Sequence, residues 1–418
     1  MSRLIAAALS AICFLDAVAS AAQEIGPSRV IARDFFGMHV HRADIWPSVA
    51  FGSRRLWDSY VSWRDLEPSR GQWQFNALDG MVAEAERRRV SVLLTLGSTP
   101  AWASSRPKEV CAYGRGCAAE PVRLEDWENY VRTVVSRYRG RIEAYELWNE
   151  VHFTELENPY DSAGKAYFYS GSCANMVEMG RIAYRVIKEI DPNAKLTSPS
   201  FHIQGDWIKK LRLYLRSGGN AYTDAISFHF YASSPEDSLR SIFAVRAAMQ
   251  EYGVSDKPLW NTETGFVVRN EAEPETKTGA SPRDVAGLIA RSFLLNAAAG
   301  VDRFYWYAWD DGVFGLAANR GQIPTEAALG YAAAEDWLTG ALVRACGHWS
   351  DGLWLCQLEK GEKRLWVVWS VQASIDWHPP DEWRVSRYSP LLADQPRAID
   401  NGGSKIPVGP TPVLVESD

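Results

Sequence analysis

The sequence lacks a large excess of charge of either sign. Its 418 residues carry 45 Lys and Arg against 51 Asp and Glu, a formal net charge of −6. That balance gives no reason to expect nucleic acid or an anionic membrane as partner. Beyond residue 22 nothing has the length and apolarity of a membrane span. No internal repeat or low-complexity tract stands out. Cysteine is scarce, at six, and none of the spacings looks like a zinc knuckle. What remains is the composition of a globular chain with a full core, 46% hydrophobic and 23% charged, long enough for one large domain or two ordinary ones. Aromatics are the surplus, with 18 Trp and 17 Tyr.

The N-terminus reads as a secretory signal over residues 1–22. Arg3 is a minimal positive region, Leu4 to Ala19 is mostly apolar, and Ala19-Ser20-Ala21 is a small-residue cleavage site. The apolar run is short for a membrane anchor and Asp16 interrupts it. The expected location is therefore secreted or periplasmic, where disulfides persist. Removal of the signal takes Cys13 with it. Cys111 with Cys117 is a candidate loop closure and Cys346 with Cys356 a candidate hairpin staple, which leaves Cys173 over.

Strand-like and helix-like stretches alternate down the next 300 or so residues. Asp34 to Arg42, Arg54 to Val61, Val90 to Leu96 and the stretch from Ile142 supply four strands. Lys195 to Pro199, Ala225 to Tyr231, Pro258 to Thr264 and Arg303 to Trp309 supply four more. Between them lie helical periodicities such as Leu78, Met81, Val82 and Ala85. Eight such units predict a (β/α)8 TIM barrel over residues 30–340. From Ala341 the pattern changes to short aromatic strands punctuated by turns, which predicts a small C-terminal antiparallel β domain over 341–418. Residues 23–29 are candidates to join it.

Two strands end in glutamate. Ile142 to Glu150 ends in Trp148-Asn149-Glu150, and 113 positions later (263 − 150) Pro258 to Phe266 carries Glu263. Chemistry in barrels of this class sits at the C-terminal ends of the strands. Paired carboxylates there suit hydrolysis of a glycosidic bond, one protonating the leaving oxygen while the other attacks the anomeric centre. Glu146 shares strand parity with Glu150 and reads as structural. The tryptophan surplus suits stacking on sugar rings.

Trp148-Asn149-Glu150 on the fourth strand, Thr262-Glu263 on the seventh and Trp306 and Trp309 on the eighth resemble the clan A glycoside hydrolases. The wording is most similar to family 39 and its relatives acting on bacterial exopolysaccharide. Matching stretches are Trp57-Asp58, Trp63 with Glu67-Pro68 and Gly71, Leu78-Asp79, Thr99-Pro100-Ala101-Trp102 and Ser227 to Tyr231. The resemblance covers roughly residues 35 to 340 and is loose in the C-terminal domain. It implies a retaining double displacement with Glu150 as acid/base and Glu263 as nucleophile, on a polysaccharide cut internally. Asn149 would hold a sugar hydroxyl, Arg55 would bond the nucleophile, and Tyr231 would orient Glu263, with His229 nearby. Trp306 or Trp309 would be the sugar platform, while Trp102 and His41 would complete the binding set. No cofactor or metal is implied, and a monomer is expected.

Two other readings stand beside this one. His39, His41, His202 and His229, with Asp310, resemble the ligands of amidohydrolase-type metal barrels, and His39 and His41 share a strand face. Against it, no Lys closes the fourth strand, and the two glutamate-ended strands would go unexplained. The third reading is a barrel that only binds polysaccharide.

Overall fold

The computed structural model describes residues 29–270, 276–350, 352–372, 374–393, 395–399 and 405–417. The expected signal at 1–22 and the stretch 23–28 lie outside the described residues. A single parallel sheet holds the first part of the chain. Its strands are Phe36–His39, Ser53–Leu56, Ser91–Thr95, Ala144–Glu146, Lys195–Thr197, Phe201–His202, Ile226–His229, Leu259–Thr264 and Arg303–Trp306. Lys195–Thr197 and Phe201–His202 are one strand broken at Ser198-Pro199-Ser200. The first piece pairs with the fourth strand and the second with Ile226–His229. Both ends of the sheet therefore belong to the same strand, and the barrel closes on eight. Thr197 bridges Ala225 across the seam.

The helices form where the sequence supplies both an apolar stripe and a start signal. Asn76–Arg88 buries Leu78, Met81, Val82 and Ala85, the spacing of one helical face. Ser172, Ser234 and Ser281 each cap a helix by accepting a backbone N–H three residues on. Pro235 and Pro282 open the last two of these, where a missing N–H costs nothing. The outward faces of the strands meet these stripes in one large core.

Inside the barrel the layers change character from bottom to top. Leu93, Ala144, Ala225, Trp260 and Tyr305 form an apolar plug. Tyr305 comes so close to the first strand that a Cβ on Gly37 would lie 2.4 Å from its ring. Glycine is required there. Above the plug, inward-facing residues turn polar: Arg55, Thr95, Glu146, Ser227 and Thr262, all buried.

After the helix Glu326–Leu338, a six-stranded antiparallel sheet begins at Leu342. Val30 bridges Leu342, so the chain before the first barrel strand joins the start of this sheet. Cys346 lies opposite Cys356 on adjacent strands and is bonded to it. Cys111 is bonded to Cys117, and Cys173 is free and buried. No helix among the described residues is long and apolar enough to cross a membrane.

Candidate active site

The site is built on the polar layer. Arg55 projects inward from the second strand and spends its donors on three acceptors. Its Nε and Nη2 donate to Glu146 Oε2 at 2.8 and 2.5 Å. Nη1 donates to Glu263 Oε2 at 2.8 Å, and Nη2 also to Asn149 Oδ1 at 2.7 Å. Burial alone would weaken the cation, but Glu146 and Glu263 outweigh it and keep Arg55 charged. Glu146 also accepts from Thr95 Oγ1 at 2.9 Å and Ser227 Oγ at 2.6 Å. Burial pushes its carboxyl up, and Arg55 more than reverses this. Glu146 is a buried anion whose partners fix Arg55.

Glu263 reaches the site through a local irregularity. Asn261 and Glu263 would share one face of an unbroken strand, yet Asn261 bonds Asn296 on the helical side. The register shifts after Asn261 against both neighbouring strands, and Glu263 then pairs with His229. Such a bulge re-aims a side chain. Glu263 Oε1 accepts from the Tyr231 hydroxyl at 2.9 Å. Burial raises its carboxyl above the ordinary range, opposed by the charge of Arg55. Both hydrogen bonds favour the anion.

Glu150 sits four residues past the end of the fourth strand, with φ +39°, an uncommon backbone for a side chain this long. Its amide donates to Ser200 Oγ at 2.9 Å. Ser200 lies in the break of the fifth strand, so that break anchors the turn. Glu150 Oε1 lies 2.9 Å from His229 Nδ1. Burial drives Glu150 up to about 7, against the charges of Arg55 and Lys210. His229 is lowered to about 4, first by burial and despite Glu263; it is neutral at pH 7. One carboxylate oxygen from each glutamate and a ring nitrogen of His229 all lie within 4.8 Å of one another.

The remaining predicted residues divide. His41 stands at the rim, its amide donating to Asp310 and its ring 5.1 Å from that of Tyr307. Trp306 and Trp309 are not platforms. Arg303 and Tyr305 face the barrel interior, so Trp306 faces out and packs on Phe304 and Phe266. Trp309 is buried, donating Nε1 to the Gly321 carbonyl at 3.0 Å. Trp102 donates to the Glu67 carbonyl, and Arg70 covers its ring at 4.5 Å. It belongs to the packing around Trp63. The four histidines of the metal-barrel reading do not converge. His39 Nε2 contacts the Thr262 carbonyl at 3.0 Å, and the His202 ring packs on His152 rather than beside His41.

Sequence reading missed Tyr307 and Tyr113, and named Asp58 only within the matching stretch Trp57-Asp58. The Tyr307 hydroxyl donates to Asp58 Oδ2 at 2.9 Å, and Tyr113 donates to Asp58 as well. Parity would have found Tyr307, two positions beyond the inward Tyr305.

Comparison with known proteins finds glycoside hydrolases. The family model for glycosyl hydrolase family 10 matches residues 58–226, a stretch that contains Glu150. The chain is 27% identical over 197 residues to endo-1,4-beta-xylanase 2 of Claviceps purpurea, covering 46% of this chain and 56% of that protein. It is 29% identical over 153 residues to an endo-1,4-beta-xylanase of Agaricus bisporus, covering 36% and 40%. It thus spans about half the length of these relatives. A family 39 glycoside hydrolase from Bacteroides cellulosilyticus WH2 superposes with a TM-score of 0.69 at 16% identity, over 93% of this chain and 82% of that one. A family 39 β-xylosidase from Caulobacter crescentus gives 0.60 at 16% identity, over 94% and 98%. The chain thus resembles the clan A glycoside hydrolases, in sequence over residues 58–226 like family 10 and in fold over nearly its whole length like family 39.

Proposed function

We propose that this protein is an exported, retaining glycoside hydrolase that cuts a polysaccharide internally. The observation that carries the reading is the pair Glu150 and Glu263, with oxygens inside 4.8 Å and unequal surroundings. Carboxyls about 5–5.5 Å apart leave no room for a water between them, so the second must attack directly. Glu263, bonded by Arg55 and Tyr231, is the nucleophile. Glu150, raised to about 7, is the acid.

In the first step a Glu263 oxygen bonds the anomeric carbon. The bond from that carbon to the leaving oxygen breaks, and Glu150 gives that oxygen its proton. In the second step Glu150, now ionised, takes a proton from water as the water oxygen attacks the same carbon and Glu263 departs. Neutral His229 serves both stages, since its Nδ1 is donor or acceptor according to tautomer. The Arg55 bond fixes the Asn149 amide by its oxygen, so its NH2 is what it offers a sugar hydroxyl. His41 and Tyr307 stand where a ring would rest. A bacterial exopolysaccharide is the proposed substrate, and a monomer the working form.

Reducing-end release from bacterial exopolysaccharides, xylan and other plant glycans tests this, comparing wild type with Glu263→Gln, with and without chelator. Release that survives chelator and disappears in the variant supports the reading. Loss with chelator would return the argument to the histidines. Tight binding without cleavage would leave a binding protein.

A further inference from the structure

Next to the carboxylates, the ends of the second and third strands open into a cavity of about 360 Å³. Its wall includes Leu56, Asp58, Tyr60, Arg64, Thr95 and Tyr113. Thr95 donates to Glu146, and Asp58 is bonded to Tyr307. The cavity therefore adjoins the reaction centre.

Its acids are satisfied and its cation is not. Asp58 accepts the hydroxyls of Tyr113 and Tyr307. Asp65 accepts from the backbone and hydroxyl of Ser62 at 3.1 and 2.6 Å, closing a helix cap. The Arg64 side chain has no hydrogen-bond or ion-pair partner among the described residues, and its Nη1 is buried. The residue is anchored through its backbone. Its amide donates to the Ser98 carbonyl at 3.1 Å. Its head lies against Gly114, where a Cβ would fall 3.1 Å from Nη2 and 3.2 Å from Nη1. Gly114 has φ +122° and belongs to the small hairpin closed by Cys111–Cys117.

A buried, unpaired donor of a cation is costly, and a planar guanidinium matches two coplanar oxygens. We propose that the cavity is a subsite for a sugar unit bearing a carboxylate, a uronic acid residue of the polysaccharide, with Arg64 as its counter-ion. Asp58 and Asp65 on the same wall repel an anion elsewhere in the cavity, so the carboxylate is directed to the Arg64 end. The cavity's serine hydroxyls and Tyr113 meet the rest of the ring. This inference rests on Glu150 and Glu263 being a glycosidase pair.

The test uses glucuronate-containing oligosaccharides, the same molecules reduced to neutral sugars at the carboxyl, and oligosaccharides of neutral sugars whose one carboxylate is that of a pyruvate ketal. Binding is measured by calorimetry on Glu263→Gln, and kcat/KM on the active enzyme. The glucuronate form should bind about 10- to 100-fold tighter than its reduced counterpart. Arg64→Gln should collapse that ratio, and Arg64→Lys, which keeps charge without the planar fork, should retain part of it. Equal binding of acidic and reduced forms, or a ratio unchanged by Arg64→Gln, overturns the proposal, as does preference for the ketal over the uronate. Should Arg64→Gln not fold, as a melting curve would show, the Arg64→Lys ratio decides: an unchanged ratio overturns the proposal, a reduced one supports it. Cleavage of neutral glycans alone would sink the subsite and leave the hydrolase. Arg64-dependent uronate binding with no cleavage of any glycan would do the reverse.

Discussion

His229 stands between the two glutamates, its Nδ1 2.9 Å from Glu150 Oε1 and 3.8 Å from Glu263 Oε1. A protonated imidazole there would draw both carboxyls toward the anion. Burial lowers the ring to about 4 instead, so His229 is a neutral spacer and Glu150 keeps its raised affinity for a proton.

The pH profile should show this directly. Glu150 must be protonated to act as acid, so kcat/KM is present below about 7 and falls as pH rises through it. In Glu150→Gln, assayed on a substrate with a good leaving group, the alkaline limb should vanish. A limb that stays in place assigns it to another residue.

The same shift predicts a stability effect. The native state holds a Glu150 proton between the ordinary value of 4.5 and about 7, so the carboxyl's contribution is fully present below 4.5 and is lost as pH rises through 7. Glu150→Gln stays neutral throughout. It should therefore melt higher than wild type at pH 8, by at most about 3 kcal/mol of stability, with no gain at pH 4. Equal gains at both pH values would point to packing rather than proton linkage.

Tyr231→Phe removes one donor from the Glu263 anion while leaving Arg55. A hydrogen bond to a charged group of this kind is worth about 10- to 100-fold, and kcat/KM should fall by that much. The acid limb should also move to higher pH, because the carboxylate loses a bond that favours it. A rate loss with an unmoved limb would mean that Tyr231 acts on substrate instead.

Arg55→Met should cost both fold and function. It strands Glu146 and Glu263 as buried carboxylates, and breaking a buried pair costs about 3–5 kcal/mol. Arg55→Lys should recover little, since one ammonium cannot reach Glu146, Glu263 and Asn149 together. Denaturant unfolding of the two variants, followed at pH 7, measures this.

The barrel was readable because strand and helix periods alternate cleanly, and Glu150 and Glu263 because each closes a strand. Arg55 followed from the family likeness alone. Residue type alone is no guide to the sugar platform, because strand parity decides: Trp306 faces outward one position after the inward Tyr305, and Tyr307 takes the inward place. The bulge that turns Glu263 inward leaves no mark in residue spacing. Arg64 was invisible for another reason. It lies on a four-residue helix, Trp63–Leu66, and its setting is made by a hairpin fifty positions away that only the folded chain brings to it.

The configuration of the first product tests the central claim most directly. Proton NMR during early cleavage of a responsive glycan reads the anomer before mutarotation mixes it. Two carboxylates this close predict that the product keeps the configuration of the bond cut. An inverted product would mean that water attacks directly, and Glu263 would then be a base rather than a nucleophile.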